Sequence, residues 1–383
     1  MQNMATFDDR MQIRSDTLAG KIPKRIFVNP TFSLEAACGY AGVDLLKTHY
    51  DMELREKAFD AICRDFYSDS MPVVDLRFPE SYQILGSRNW VLASNGVVQH
   101  PEIVTMQPDE YDEYIADPYG TIVEKFLPRV CTELDTDPVT RSKVMAKAYL
   151  SYAKAKEGTH NIISKMSQKY NLTPGFMTGA LIQAPFDFLS DQLRGFKEIH
   201  MDLRRRPDKI KAACEATLPL MLRRAMPRVI PPGTINFIPL HLHPYISMEN
   251  FEKYYWPTLK KLVEEQDKAG IACTLFAEGN VTRYAEHFAT LPKSSILWVE
   301  EADYTKYKET FGKEHLMGGF FDPTITLSKT TEECIDVVKR MLDVCAPGGR
   351  FYFGFDKGVI DVKSVNVSRL KAVLEWVGAN TNY

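Results

Sequence analysis

Five short apolar runs in this 383-residue chain end on ionisable residues: His241-Leu242-His243, Glu278, Glu300-Glu301, Asp322 and Asp356. Residues two apart on a strand share a face, so His241 and His243 could present two imidazoles to one point. Such a pair can hold zinc or a similar cation, and either imidazole could instead move a proton. A plainer use also fits, with one histidine bonding a carboxylate and the other facing a helix. Glu278 stands where Ala272-Cys273-Thr274-Leu275-Phe276-Ala277 gives way to Gly279-Asn280. That position suits a metal ligand or an ordinary loop carboxylate. Asp356, in Phe353-Gly354-Phe355-Asp356-Lys357-Gly358, could act on a ligand, pair with Lys357 or cap a helix. Asp303 reads equally as a helix cap, and Asp322 before Pro323 as a turn residue.

The elements that must position these groups follow a β/α rhythm. Strands are expected over Gly175–Ile182, Ile235–Leu242, Ala272–Phe276, Ile296–Val299, Leu316–Phe320 and Phe351–Phe355. Amphipathic helices are expected between and after them over Arg204–Arg224, Met248–Ala269, Val281–Thr290, Asp303–Phe311, Thr330–Cys345 and Asn366–Val377. This alternation predicts an α/β fold, a (β/α)8 TIM-like barrel whose strand ends converge on one mouth. Residues 1–70 read as a mainly helical extension, with helices over Phe7–Leu18 and Asp51–Tyr67. Lys24–Pro30 and Met71–Leu76 are short strand candidates, and Pro138–Tyr170 reads as one long helix. Asn95-Gly96, inside 85–100, marks a β-hairpin decoration. The whole is expected to be a single domain, 1–383.

Composition narrows the function classes. A net charge of −3 with 25% charged residues gives no basic field to draw the chain onto nucleic acid or an anionic membrane. Arg204-Arg205-Arg206 reads as a solvated helix face. The seven cysteines are scattered without close-ligand spacing. With the polar start Met1-Gln2-Asn3 and no apolar run of spanning length, this predicts a cytoplasmic protein.

From about Leu172 onward the sequence resembles the uroporphyrinogen decarboxylase superfamily. The resemblance is carried by Gly179-Ala180-Leu181-Ile182-Gln183-Ala184-Pro185-Phe186-Asp187-Phe188, Leu193-Arg194-Gly195 and Arg206-Pro207-Asp208. It continues through Ile246-Ser247-Met248-Glu249-Asn250-Phe251, Trp256-Pro257, Gly279-Asn280, Gly318-Gly319-Phe320-Phe321-Asp322-Pro323 and Ala346-Pro347-Gly348-Gly349-Arg350 in the family's order. The decarboxylases of the superfamily carry an arginine-rich segment near the N-terminus. The comparable stretch Glu35-Ala36-Ala37-Cys38-Gly39-Tyr40-Ala41-Gly42 has no arginine, whereas a substrate with many carboxylates needs cationic forks.

The methyl-transferring branch is the better match. Its thiol-methylating members hold zinc through His-x-Cys-Gly and a later cysteine. Laid on those motifs, this chain has Phe276 for the histidine, Glu278 for the first cysteine and Asp356 for the second. The resemblance thus implies a harder zinc site of His241, His243, Glu278 and Asp356, or loss of the metal. It implies transfer of a methyl group from an O-methyl aromatic or methylated amine to a corrinoid carried by a partner protein. Phe276, Phe321, Phe353, Phe355 and Asn280 would bind the substrate, and Tyr245 and Lys357 would supply proton or hydrogen-bond donors. Phe320 joins these aromatics near the mouth, and core packing is the other use for such rings. A cofactor-free decarboxylase and a non-catalytic barrel are the alternatives, and a dimer fits as well as a monomer.

Overall fold

The computed structural model describes residues 5–380. Met1-Gln2-Asn3 lies outside them. Ten strands form among the described residues: β1 (Phe27–Val28), β2 (Phe32–Ser33), β3 (Val73–Val74), β4 (Val91–Leu92), β5 (Val98–Gln99), β6 (Ile235–Leu240), β7 (Ala272–Asn280), β8 (Ile296–Glu301), β9 (Leu316–Phe321) and β10 (Phe351–Phe355). The chain divides into two compact units, one of Met1–Leu76, Gly158–Thr178 and Thr274–Tyr383, the other of Arg77–Glu157 and Gly179–Cys273. Among the described residues no helix is long and apolar enough to cross a membrane.

The first unit is built on parallel strands in the order β1, β10, β9, β8, β7. Every residue of β10 is buried, as are Ile296–Val299 of β8. Strands covered on both faces become continuous apolar runs, which is why periodicity finds them. Helices over Tyr304–Glu309, Thr331–Cys345 and Val367–Asn380 follow β8, β9 and β10. Their starts were written in the sequence: Asp303 caps the first, and Thr330 with Glu333 forms a capping box on the second. The extension is helical over Phe7–Leu18 and Met52–Asp65, capped by Thr6 and Asp51. Beside it, β2 pairs with β3 in parallel.

Strand β9 carries a bend at its functional end. Gly319 has φ +99, and a Cβ there would lie 2.2 Å from the Val299 carbonyl oxygen of β8. Phe320, next in line, has φ +66, a region that a bulky side chain rarely enters. Gly319→Ala is therefore expected to force β8 and β9 apart and to destabilise the protein by roughly 1–3 kcal/mol, read as a lower midpoint in urea unfolding. An unchanged midpoint would contradict this account of the bend.

In the second unit, β4 and β5 form the antiparallel hairpin that Asn95-Gly96 predicts. The loop is one residue longer than a two-residue turn: the Ala93 N–H donates to the Val97 carbonyl and Gly96 takes φ +85. Glycine in the left-handed region closing a three-residue loop is a common alternative. The helix Pro138–Tyr170 forms over its full expected length.

Three expectations need correction. Gly175–Ile182 bends at Phe176 and Gly179 and forms no strand, carrying an isolated parallel bridge, Leu181 to Phe237. The Ala180 N–H is taken by the side-chain oxygen of Asn236 at 2.7 Å, so part of the ladder is replaced by a side chain. Gly179 is required there, because a Cβ would meet that same oxygen at 2.2 Å. Arg204–Arg224 is two helices, Phe196–Arg205 and Pro207–Ala225, parted where Pro207 imposes a new first turn. The strand expected over Ile235–Leu242 stops at Leu240, and His243 begins a 3-10 turn, His243–Tyr245.

Candidate functional site

The strand ends of the first unit gather carboxylates. Strand β7 runs on to Asn280, so Glu278 lies within the strand rather than in a loop, beside an irregularity between Ala277 and Asn280. The Gly279 N–H donates to Glu300 at 2.8 Å and the Asn280 side-chain amide to Glu301 at 2.8 Å. Lys357 reaches back from the end of β10 to Glu300 at 2.6 Å. Burial would raise the Glu300 carboxyl, but the Gly279 amide and the Lys357 ammonium outweigh it and hold the group below its ordinary range. The same hydrogen bond to Glu300 lifts the Lys357 ammonium above its usual range. Lys357 is therefore a fixed cation rather than a proton donor near neutral pH.

Asp356 differs from its neighbours. It is buried, its own N–H is held by the Phe321 carbonyl at 2.8 Å, and its carboxylate accepts only the adjacent Lys357 N–H at 2.6 Å among the bonds that the structure defines. Burial pushes its carboxyl up to about 7, helped by the charges of Asp322 and Glu300. Asp322 is turned away into its own turn, accepting from the backbone and hydroxyl of Thr324. Such a carboxyl carries its proton over much of the neutral range and can give it up there.

The aromatic residues fall into two groups. Phe321, Phe353 and Phe355 are at most 1% exposed and pack on one another, with ring centroids 5.5 Å apart for Phe321 and Phe353. They are packed core with almost no exposed ring surface, unlike the substrate-lining rings that the sequence suggests. Phe276 and Phe320 are only partly buried. Phe276 lies 4.3 Å from the Trp298 ring, whose indole N–H is anchored on the Phe355 carbonyl at 2.8 Å. A further buried pair at the end of β3, Arg55 with Asp75 at 3.4 Å, escaped the sequence reading.

The second unit holds the histidines, and they do not act as a pair. His241 is partly exposed and its Nδ1 lies 2.7 Å from Asp191. His243 is fully buried, with its ring 6.0 Å from that of Tyr255. Asp187, also fully buried, accepts from the His241 N–H, the Leu242 N–H and the Tyr255 hydroxyl. The two bonds to consecutive amides turn the chain after Leu240, so the strand period that would align the two imidazoles is broken. Tyr245 is 63% exposed and packs edge-on against Phe196, which places it on the surface of this unit. Asp187 and Asp191, missed by the sequence reading, were detectable as two carboxylates four residues apart just after the helix start at Pro185.

A metal centre needs deprotonated donors converging on one point. No group of three or more His, Cys, Asp or Glu side chains gathers to hold a metal among the described residues. Asp356 favours its proton, which weakens it as a ligand. The residues present do not fit the four-ligand zinc site. The seven cysteines are free and buried, so they do not complete it.

Residues 161–377, more than half of the chain, match the profile of the family described as uroporphyrinogen decarboxylase (URO-D). The chain belongs to this family. Its fold is accordingly the TIM-like α/β barrel type, with a helical N-terminal extension and a hairpin decoration. No curated protein matches it in sequence. Among solved structures it is similar to a methyltransferase from Methanosarcina mazei, with a TM-score of 0.61 at 15% identity over 97% of this chain and 98% of the other. At that identity the likeness establishes a shared fold. The strand ends of this chain carry Glu278, Glu300, Glu301, Asp322 and Asp356, with Lys357 beside them.

Proposed function

We propose that this member of the uroporphyrinogen decarboxylase family is a methyltransferase that removes a methyl group from an O-methyl aromatic or methylated amine and delivers it to a corrinoid on a partner protein. The observation that carries the reading is Asp356, a carboxyl buried just past the end of β10 that accepts the Lys357 N–H and that burial pushes up to about 7. The fold shared with a methyltransferase supports it. The acidic strand ends argue against a substrate bearing many carboxylates, because like charges in a partly buried site repel.

The corrinoid would supply the nucleophile that takes the methyl carbon. The chain's own residues would serve the leaving group. As the bond from methyl carbon to oxygen breaks, its electron pair stays on oxygen, and Asp356 gives that oxygen its proton. Asp356 is left as a carboxylate, and the demethylated product leaves as a neutral phenol. This need for a proton favours the oxygen donor over the amine. Phe276 and Phe320, with accessible ring surface, are suited to pack against an arene.

A panel of methoxyarenes and methylamines, incubated with reduced corrinoid, tests the proposal by release of phenol or amine. Phenol release from at least one methoxyarene is expected, and no release from any donor would refute it. Metal analysis of the same preparation is expected to find no stoichiometric zinc. One zinc per chain, lost in both Glu278→Ala and Asp356→Ala, would show that these carboxylates are metal ligands.

A further inference from the structure

The carboxylate and imidazole cluster of the second unit plays no part in the proposed methyl transfer, and it has the construction of a proton-transfer site. Asp191 bonds the Nδ1 edge of His241 at 2.7 Å, and the Gln183 side-chain amide holds the same Asp191 oxygen at 3.1 Å. Behind them Asp187 fixes the backbone of His241 and Leu242 and is itself fixed by the Tyr255 hydroxyl at 2.6 Å. The imidazole is thus oriented at its ring by one carboxylate and at its main chain by another. A carboxylate on Nδ1 selects the tautomer with the proton on that nitrogen and makes Nε2 the basic one. Side-chain exposure is 36% for His241 and 19% for Asp191, so the pair is reachable from solvent while its support is not.

We propose that Asp191 and His241 form a proton-transfer dyad, in which His241 Nε2 removes a proton from a hydroxyl or amine of a small-molecule ligand. The ligand's electron pair stays on its oxygen or nitrogen, the imidazole becomes imidazolium against the Asp191 carboxylate, and the proton is later returned to solvent. His241 is the catalytic residue, and Asp191 and Asp187 are positioning residues. The charged and titratable groups around the imidazole are Asp191 and Asp187, the buried Cys214 thiol near Asp187, and His100, which senses both Asp191 and His241. His100 is carried by the hairpin, stacked on Trp90 at 4.1 Å, with Arg77 on the same indole. Burial, with the charge of Asp191, raises the Asp187 carboxyl.

The test uses the full-length protein with 15N-labelled histidine, the His241 signal being assigned by its loss in His241→Gln. The Nδ1–H tautomer is expected in the wild type, and Asp191→Asn, which keeps the shape, is expected to shift it toward Nε2–H. Diethyl pyrocarbonate should modify His241 at least five-fold faster in the wild type than in Asp191→Asn, because a carboxylate-backed Nε2 is the stronger nucleophile. Neither readout requires methyl transfer, so this dyad and the proposed function can fail separately. An Nε2–H tautomer in the wild type, or equal modification rates in the two proteins, would overturn the dyad.

Discussion

Replacing Asp69 by alanine is expected to lower the unfolding free energy by roughly 3–5 kcal/mol, the usual cost of stranding a buried cation. Asp69 is fully buried and receives both arms of the Arg25 guanidinium at 2.6 Å, together with the Val28 N–H at 2.9 Å. It also faces the buried Arg10 at 3.5 Å. Arg10 comes from the N-terminal helix and donates to the carbonyls of Tyr170 and Asn171. One carboxylate therefore ties the helical extension, strand β1 and the end of the long helix together within the first unit. Urea unfolding measures the loss, and a cost below about 1 kcal/mol would show that water replaces the missing anion. Restoring charge balance with Arg10→Met in the Asp69→Ala background should return part of the stability, since the coupled residues are not additive.

The second large effect is a gain. The Asp356 carboxyl is raised to about 7 in the folded protein from an ordinary 3.8. A raised folded value means that stability is fully present below the unfolded value and is lost as pH climbs through the folded one. Between about pH 4 and 7, folding must take up a proton that the unfolded chain has increasingly released, and above about 7 it must bury the charge itself. Asp356→Asn removes that charge and keeps an oxygen for the Lys357 N–H. The variant should match the wild type near pH 4 and exceed it by roughly 2–4 kcal/mol above pH 7, a tenfold change in an ionisation constant being worth about 1.4 kcal/mol. Unfolding curves at the two pH extremes measure it. Equal stability at both would mean that Asp356 ionises normally. If the proposed chemistry is right, the gain comes with a loss of activity, as expected where a destabilised group serves the reaction.

The parallel half of the fold was legible because burial on both faces leaves runs such as Phe351–Phe355 with no polar interruption, and because Asp303 and Thr330 announce their helices. The break at Arg206 was hidden, since apolar spacing continues from Leu203 to Ile210 across it and only Pro207 marks the new start. The candidate site was less legible. Asp356 and Glu300 were found from their strand-end positions, but which of them keeps a proton depends on Lys357 and Gly279 choosing Glu300, and that choice is made in three dimensions. His241 and His243 misled for a physical reason: Asp187, more than fifty residues earlier, takes the amides that would have continued the strand. Phe321, Phe353 and Phe355 sit near functional strand ends and are nonetheless core. Sequence position could not separate core from lining.

The pH dependence of phenol release, compared between the wild type and Asp356→Asn, tests the central claim most directly. With a methoxyarene and reduced corrinoid, wild-type turnover should fall as pH rises past about 7, where Asp356 gives up its proton. Asp356→Asn should be slower by roughly 10²–10⁴-fold at neutral pH and should lack that limb, because its amide has no proton to give. Turnover that survives Asp356→Asn with the same pH profile as the wild type would contradict the assignment of Asp356 as the acid.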